Sequence, residues 1–402
     1  MTNLYTKDSL RAAVESHTDG NVTILYDDKG FPNYMCVIPK FKVASIDITS
    51  EDGVTAGDYL GSPEAACEGY HPAFAIYDPT TSEVTIKDEI FVGMYLASSI
   101  SSRALSLPGK VPSTSVTLSQ ARTLTTSKGT GWHLMTNWEF SAIALQVYKK
   151  YGNLRGNDSL GRSFDVPGEF AVRKDGYIPG ETPFISGDSV SYTGSGPMAW
   201  RHNKTLSGID DFCGNLRTWV DGVRINDGQY QFKGSADYNV VATDASWVNG
   251  GVWVDAPATF SIPGVNPPSG SRWTIDTRDP AYIIAADGAI SSRVGNPNYA
   301  AYKEWSISGS DPGGNRHSAA YLASSLRFRM RQAGLDASEL TTLDDENSPK
   351  GLVAFRNDSN QTYYFLRGGA SDYYDANGLF AMITYGIDST SPFNGFRVAY
   401  VG

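Results

Sequence analysis

Few side chains of this sequence are spaced for chemistry. Its three cysteines, Cys36, Cys67 and Cys213, stand far apart and none belongs to a CxxC pair. Neither a disulfide framework nor a thiolate metal site is encoded that way, and reduced thiols of a chain folded in cytoplasm are the expectation. The five histidines, His17, His71, His133, His202 and His317, include no HExxH helix and no carboxylate at ligand spacing. His133, inside Gly131-Trp132-His133-Leu134, reads as a structural hydrogen-bonder. Asp210-Asp211 and Asp344-Asp345-Glu346-Asn347 offer oxygen ligands without the calcium-loop pattern, and read as solvated acidic turns. There is no Gly-x-Ser-x-Gly elbow and no phosphate-binding glycine loop. Non-catalytic work, with no metal and no cofactor, is therefore expected.

What the sequence does offer is the chemistry of contact. In its last stretch, apolar or glycine-pinned pieces (366–369, 378–381 and 395–399) alternate with Ser, Asp, Tyr, Asn and Thr. Tyr373, Tyr374 and Tyr385 lie beside Asp and Gly in turn-like surroundings, so exposure is expected for them. Tyrosine gives large rigid contact area at low entropic cost, and Ser, Asn and Gly give adaptable hydrogen bonds. Trp132, Trp138 and Trp219 sit in the motif stretches 131–139 and 207–222, and are expected in the core. Trp247 and Trp253 flank a hairpin-like Asn249-Gly250-Gly251.

The elements that would position these residues follow from periodicity and punctuation. A helix is expected over 7–16, then strands over 22–26 and 34–39 separated by Asp28-Lys29-Gly30. Further strands are expected at 74–77, 84–86 and 88–95. Thr117-Leu118-Ser119-Gln120 and Thr136-Asn137-Trp138-Glu139 both have capping-box spacing, and each opens a helical pattern that a glycine closes. A further helix is expected over 319–332. Stretches 159–197 and 256–314 are rich in Gly, Ser and Pro, and loops that long imply short strands or insertions with a task. The fold class expected is α+β, with few helices, many short strands and long loops.

A chain of 402 residues with net charge −10 has the wrong sign for tracking phosphates, so no nucleic-acid partner is expected. No run approaches the roughly 20 apolar residues that span a bilayer, and Met1–Thr6 lacks the basic and apolar flanks of a secretory leader. Neither membrane insertion nor general secretion is expected.

Three stretches in order carry a resemblance: 131–139 with its capping box, 207–222 containing Cys213-Gly214-Asn215-Leu216-Arg217-Thr218-Trp219-Val220, and 367–399. They resemble the formylglycine-generating-enzyme type of C-type lectin fold, whose turn and strand read Gly-Asn-Val-Trp-Glu-Trp-Val; Leu216 and Arg217-Thr218 depart from that pattern. Ile38-Pro39-Lys40-Phe41, His71-Pro72-Ala73-Phe74, Ser106-Leu107-Pro108-Gly109 and Gly131–Met135 are similar to the variable proteins of diversity-generating retroelements. In that family a reverse transcriptase rewrites the 3′ end of the gene at template adenines. Its AAC codons cannot become Lys, Glu, Gln, Met or Trp, and 370–394 contains none of these except Met382, expected to be fixed and inward-facing.

The resemblance implies an N-terminal assembly or docking element over 1–30 and a C-type lectin-like domain over 31–402, with an insertion at about 225–350 and a variable region at about 366–402. It implies a phage tail receptor-binding protein, a virion component folded in the host cytoplasm and assembled as a trimer. Phage tail proteins would meet the N-terminal element, and a host cell-surface protein or glycan would meet the variable loops. The implied contacts are Ser371, Asp372, Tyr373, Tyr374, Asp375 and Asn377 on one loop, with Ile383, Tyr385, Ile387, Asp388, Thr390 and Phe393 on the next. Arg367 and Arg397 would belong to the scaffold, Arg397 paired inside. The rivals are a bacterial surface-displayed variable adhesin and an oxidase of the formylglycine-generating type. The oxidase needs a reactive cysteine pair near the C-terminus, and no cysteine follows Cys213. Calcium lectins of this class use Glu-Pro-Asn or Gln-Pro-Asp triplets, absent from both acidic clusters.

Overall fold

The computed structural model describes residues 8–46, 70–78, 83–183, 185–226, 229–234, 252–255, 334, 353–354, 362–374 and 377–402. Asp8 caps the first helix, α1 (Ser9–His17), by accepting from Arg11 N. Strands β1 (Val22–Tyr26) and β2 (Pro32–Pro39) form a hairpin with Val22 opposite Cys36 and Tyr26 opposite Pro32. The Asp27 carboxylate closes its turn by accepting from Lys29 N and Phe31 N. There follow β3 (Ala75–Asp78), β4 (Glu83–Ile86), β5 (Glu89–Gly93), β6 (Ser98–Ile100) and β7 (Arg103–Leu105). Helix α2 (Leu118–Thr126), strand β8 (Trp132–Leu134) and helix α3 (Asn137–Tyr151) come next. Both expected capping boxes form: Thr117 with Gln120, and Thr136 with Glu139.

The second half supplies β9 (Arg217–Asn226), β10 (Gln229–Gly234), β11 (Val252–Asp255), β12 (Val353–Ala354), β13 (Thr362–Arg367), β14 (Met382–Tyr385), β15 (Asn394–Phe396) and β16 (Val398–Tyr400). One five-stranded sheet runs β1-β2-β5-β16-β8; the larger sheet runs β11-β10-β9-β13-β14-β12, with β15 also paired to β9. The molecule is a mixed α/β protein with many strands and, among the described residues, three α-helices.

Helix α3 is buried on nearly every face, from Asn137 through Leu145 and again at Val147 and Tyr148. A helix this apolar holds its place by burial, worth roughly 1.5–3 kcal/mol for each large side chain fully removed from water. Trp138, Phe140 and Ile143 pack with Val220 and Val223 of β9, Phe365 of β13 and Phe380. A second cluster joins Leu25, Trp132, Leu134, Trp219, Leu366, Phe396 and Tyr400. Trp132, Trp138 and Trp219 are thus in the core as expected. Beneath β8, His133 bonds the Gly131 carbonyl at 2.9 Å and Glu139 Oε1 at 3.0 Å. Burial by itself would lower the His133 pKa, but the adjoining Glu139 carboxylate more than offsets it and the net direction is upward.

Several expectations change. Within the N-terminal stretch 1–30, β1 pairs with β2 and its Ile24 and Leu25 are core residues. Asp210 and Asp211 are not a solvated turn: both are buried, and burial raises their pKa. Arg397 is the reason. Its guanidinium donates to the carbonyls of Gly93 at 2.9 Å, Asp210 at 2.8 Å and Asp211 at 3.2 Å, so the acidic turn is pulled against the last strand. Burial lowers the Arg397 pKa to about 10, against the attraction of the two carboxylates. In 159–197 the described residues show isolated bridges, Arg162 to Phe170 and Arg173 to Ser191, and no named strand. The helix expected over 319–332, the stretch 256–314, Cys67, Trp247, Asn249-Gly250-Gly251, His317 and 344–347 lie outside the described residues, as does most of 225–350.

Candidate ligand-binding surface

The two loops expected to make contact leave from β13 and β14. After β13 the chain turns through Gly368 and Gly369, whose φ angles are +85° and +82°. A Cβ at Gly369 would collide with Asn377, whose amide donates to the Ala370 carbonyl at 2.7 Å and closes the loop. Ser371 anchors it from below: its N donates to Asn215 O at 3.1 Å, its O accepts from Leu160 N at 2.7 Å, and its hydroxyl meets that of Ser189 at 2.9 Å. Tyr374 N then donates to Asp158 O at 2.8 Å. Tyr374 is 42% exposed, and its ring stands edge-on to Phe164 at 5.8 Å.

The second loop, 386–393, is tied at three points. Leu118 N donates to Ile387 O at 3.2 Å, Ser115 N to Ser391 O at 3.0 Å, and Arg217 N to Phe393 O at 2.9 Å. Arg217, the first residue of β9, also reaches both loops through its side chain. Its Nη1 donates to the hydroxyls of Tyr373 at 2.7 Å and Tyr385 at 3.2 Å, and its Nη2 to Ser391 Oγ at 2.9 Å. The guanidinium carbon lies 5.3 Å from each of the two tyrosine ring centroids, close enough for cation–π attraction. Burial raises the Tyr373 pKa and leaves its hydroxyl protonated at neutral pH. Burial likewise raises that of Asp372, with Arg217 opposing.

Of the expected contacts, Asp372, Tyr373, Tyr385, Ile387 and Phe393 are partly exposed, and Tyr374, Asp388 and Thr390 are exposed. Three are not at the surface. Ser371 is buried because the frame consumes its polar groups, and Asn377 because its amide turns back on the loop. Ile383 is buried because it lies in β14 opposite Leu366, on the face that joins the second core cluster. Asp375 lies outside the described residues. Leu379, Phe380, Met382, Phe396 and Arg397 are all buried, as a frame requires.

Two features were missed by reading the sequence. Arg217 is one; its signal was the departure from the Gly-Asn-Val-Trp-Glu-Trp-Val pattern. The other is the apolar exposure of Phe164, Val166, Phe170, Val172, Ile178 and Ile185 in the segment 158–191 beside the first loop, a stretch the sequence marked only as a long loop. Its backbone is stapled by polar groups: Arg155 grips Glu169 through two bonds of 2.9 and 2.6 Å, and buried Arg173 donates to the carbonyls of Leu160, Ile178 and Glu181. Apolar side chains are thereby held outward on a fixed support. No alternation or helical period announces it, because the constraint is long-range.

Among the described residues no group of three or more His, Cys, Asp or Glu is placed to hold a metal ion. Cys36 and Cys213 are buried free thiols; burial raises both, that of Cys36 to about 12. Such thiols are poor nucleophiles. No described helix is long and apolar enough to cross a membrane. Comparison with protein-family models and with curated proteins gives no match.

Proposed function

We propose that this chain is a non-catalytic recognition protein with a C-type lectin fold of the formylglycine-generating-enzyme type. In this reading it is a retroelement-diversified receptor-binding protein of a phage tail, trimeric on the virion, that grips a host surface molecule through its C-terminal loops. The reading rests on one observation. The loop backbones are fastened from beneath by backbone groups outside them (the amides of Arg217, Leu118, Ser115 and Leu160 and the Asp158 carbonyl), while Tyr373, Tyr374, Tyr385 and Ile387 remain at least partly open to solvent. A frame that does not depend on the exposed side chains can carry different ones without unfolding. The binding face then comprises the two loops and the apolar 158–191 segment beside them.

Sequencing the gene across isolates tests the diversification. Substitutions should concentrate at Asp372, Tyr373, Tyr374, Tyr385, Ile387, Asp388, Thr390 and Phe393, and a near-copy of the 3′ end should lie beside a reverse-transcriptase gene. Substitutions spread evenly through 366–402, frame residues included, would discard the reading. Tail genes in the neighbourhood favour the virion, and secretion or surface-anchoring genes favour a bacterial adhesin.

A further inference from the structure

Arg217 is only 5% exposed, and a guanidinium that deep ordinarily sits against a carboxylate. Here its described hydrogen bonds go to three hydroxyls, those of Tyr373, Tyr385 and Ser391, and its Nε has no partner. Asp372 faces it electrostatically, but among the described residues no carboxylate comes within ion-pair distance. Each hydroxyl accepts from Arg217 and keeps its own O–H for a second partner. A buried cation thus polarises a small set of neutral donors in the two loops. Donors of that kind suit a carboxylate, because charge-assisted hydrogen bonds are the strong ones.

Beside the second loop lies a cleft of about 560 Å³ along α2. It is lined by Ser99, Ser113, Ser119, Gln120 and Thr123 over an apolar floor that includes Val116, and no lining residue is charged. Ser115 and Leu118, next in the chain to the lining residues Thr114, Val116 and Ser119, bond that loop through Ser115 N to Ser391 O and Leu118 N to Ile387 O. Hydroxyl and amide groups above apolar carbon match the faces of a sugar ring. The chain's charge of −10 and the exposed Asp388 repel a dense polyanion. A single carboxylate on an otherwise neutral polyol suffers least from that repulsion.

We propose that this surface takes a carboxylate-bearing sugar, its acid on the Tyr373, Tyr385 and Ser391 hydroxyls above Arg217 and its ring in the α2 cleft. The proposal rests on the recognition reading above and narrows its ligand to an acidic glycan.

The test titrates the full-length chain with D-glucuronate, D-glucose, acetate and a triaspartate peptide, followed by saturation-transfer NMR. Glucuronate is expected to bind with a Kd of the order of 1 mM, and glucose and acetate each about tenfold more weakly. Arg217→Gln should weaken glucuronate about tenfold or more, the Tyr373→Phe/Tyr385→Phe pair similarly, and Gln120→Ala about threefold. The two phenylalanines preserve the rings, so that pair keeps the test sharp if Arg217→Gln does not fold. Equal binding of glucose, equal binding of acetate, no binding of glucuronate, or indifference to the paired phenylalanines would each overturn the proposal. Tighter binding of triaspartate would also overturn it, by assigning the site to an acidic protein. Attachment to host cells separates this from the parent reading. If Tyr374→Ala with Thr390→Ala abolishes attachment while glucuronate fails, recognition by the loops stands and the acidic sugar falls. If attachment survives those changes, the loop reading itself falls.

Discussion

Arg217 donates through Nη1 to the Tyr373 hydroxyl at 2.7 Å, so the first strand of the larger sheet's central pair holds a residue of the displayed loop in place. The same atom reaches Tyr385 at 3.2 Å. Tyr373→Phe should cost about 1 kcal/mol in urea unfolding, and Tyr385→Phe less. A double-mutant cycle of Tyr373→Phe with Arg217→Ala should return a coupling of about 1 kcal/mol. Strict additivity would show that the bond is not made in solution.

Display and frame should separate cleanly in the exposed tips. Tyr374→Ala and Thr390→Ala remove exposed contact groups without touching the backbone bonds that fasten the loops. Each is expected to move the unfolding free energy by no more than about 0.5 kcal/mol while host attachment is lost. A matched drop in stability and attachment would mean these side chains belong to the frame.

Two glycines make the opposite comparison. Gly369 has φ +82° and no room for a Cβ against Asn377, so Gly369→Ala should destabilise by about 2 kcal/mol or more. At Gly386 an added Cβ meets only Ser389 Oγ, at 3.5 Å, and Gly386→Ala should stay within about 0.5 kcal/mol of the parent. Thermal unfolding of both variants, side by side, checks the contrast.

His202 gives the protein an acid-sensitive element. It is a half-buried neutral ring, with Nδ1 accepting from Ile209 N at 2.7 Å. Burial first, then the charges of Arg397 and Arg201, lower its pKa from 6.5 to about 3. Between those values the unfolded chain takes up a proton that the folded chain refuses. The contribution is therefore whole above pH 6.5 and is lost as pH falls toward 3. Between pH 7 and 5 the parent should lose about 2 kcal/mol more than His202→Asn, which retains an acceptor but does not titrate. Parallel unfolding free energies for the two proteins over that range would contradict the assignment.

Local signals in the sequence were legible wherever the deciding contacts are local. Thr117 with Gln120 and Thr136 with Glu139 cap the helices that their spacing announced, and strand β1 spans the residues its apolar run marked. The buried frame residues Leu379, Phe380 and Phe396 could be read because glycine punctuation separates them from polar loop. Ser371, Asn377 and Ile383 could not. Ser371 is put inside by Leu160 and Ser189, far along the chain, Asn377 by the Ala370 carbonyl of its own loop, and Ile383 by the register that sets it opposite Leu366. Asp210 and Asp211 misled as Ser371 did, since the guanidinium that gathers their carbonyls comes from Arg397. Arg217 stood in plain view as a departure from a motif, but its neighbours on two separate loops appear only in three dimensions.

The placement of β16 between β5 and β8 has a consequence for any gene whose end is rewritten. A ribosome that meets a premature stop or a shifted frame within the displayed stretch never delivers Val398–Tyr400 or Arg397. The five-stranded sheet then loses its fourth strand and, with it, its link to β8, and the carbonyls of Gly93, Asp210 and Asp211 lose the Arg397 guanidinium. Such a product exposes its interior and goes to the proteases. If the gene is rewritten as proposed, folding itself screens each new edition, passing only those translated intact through this strand.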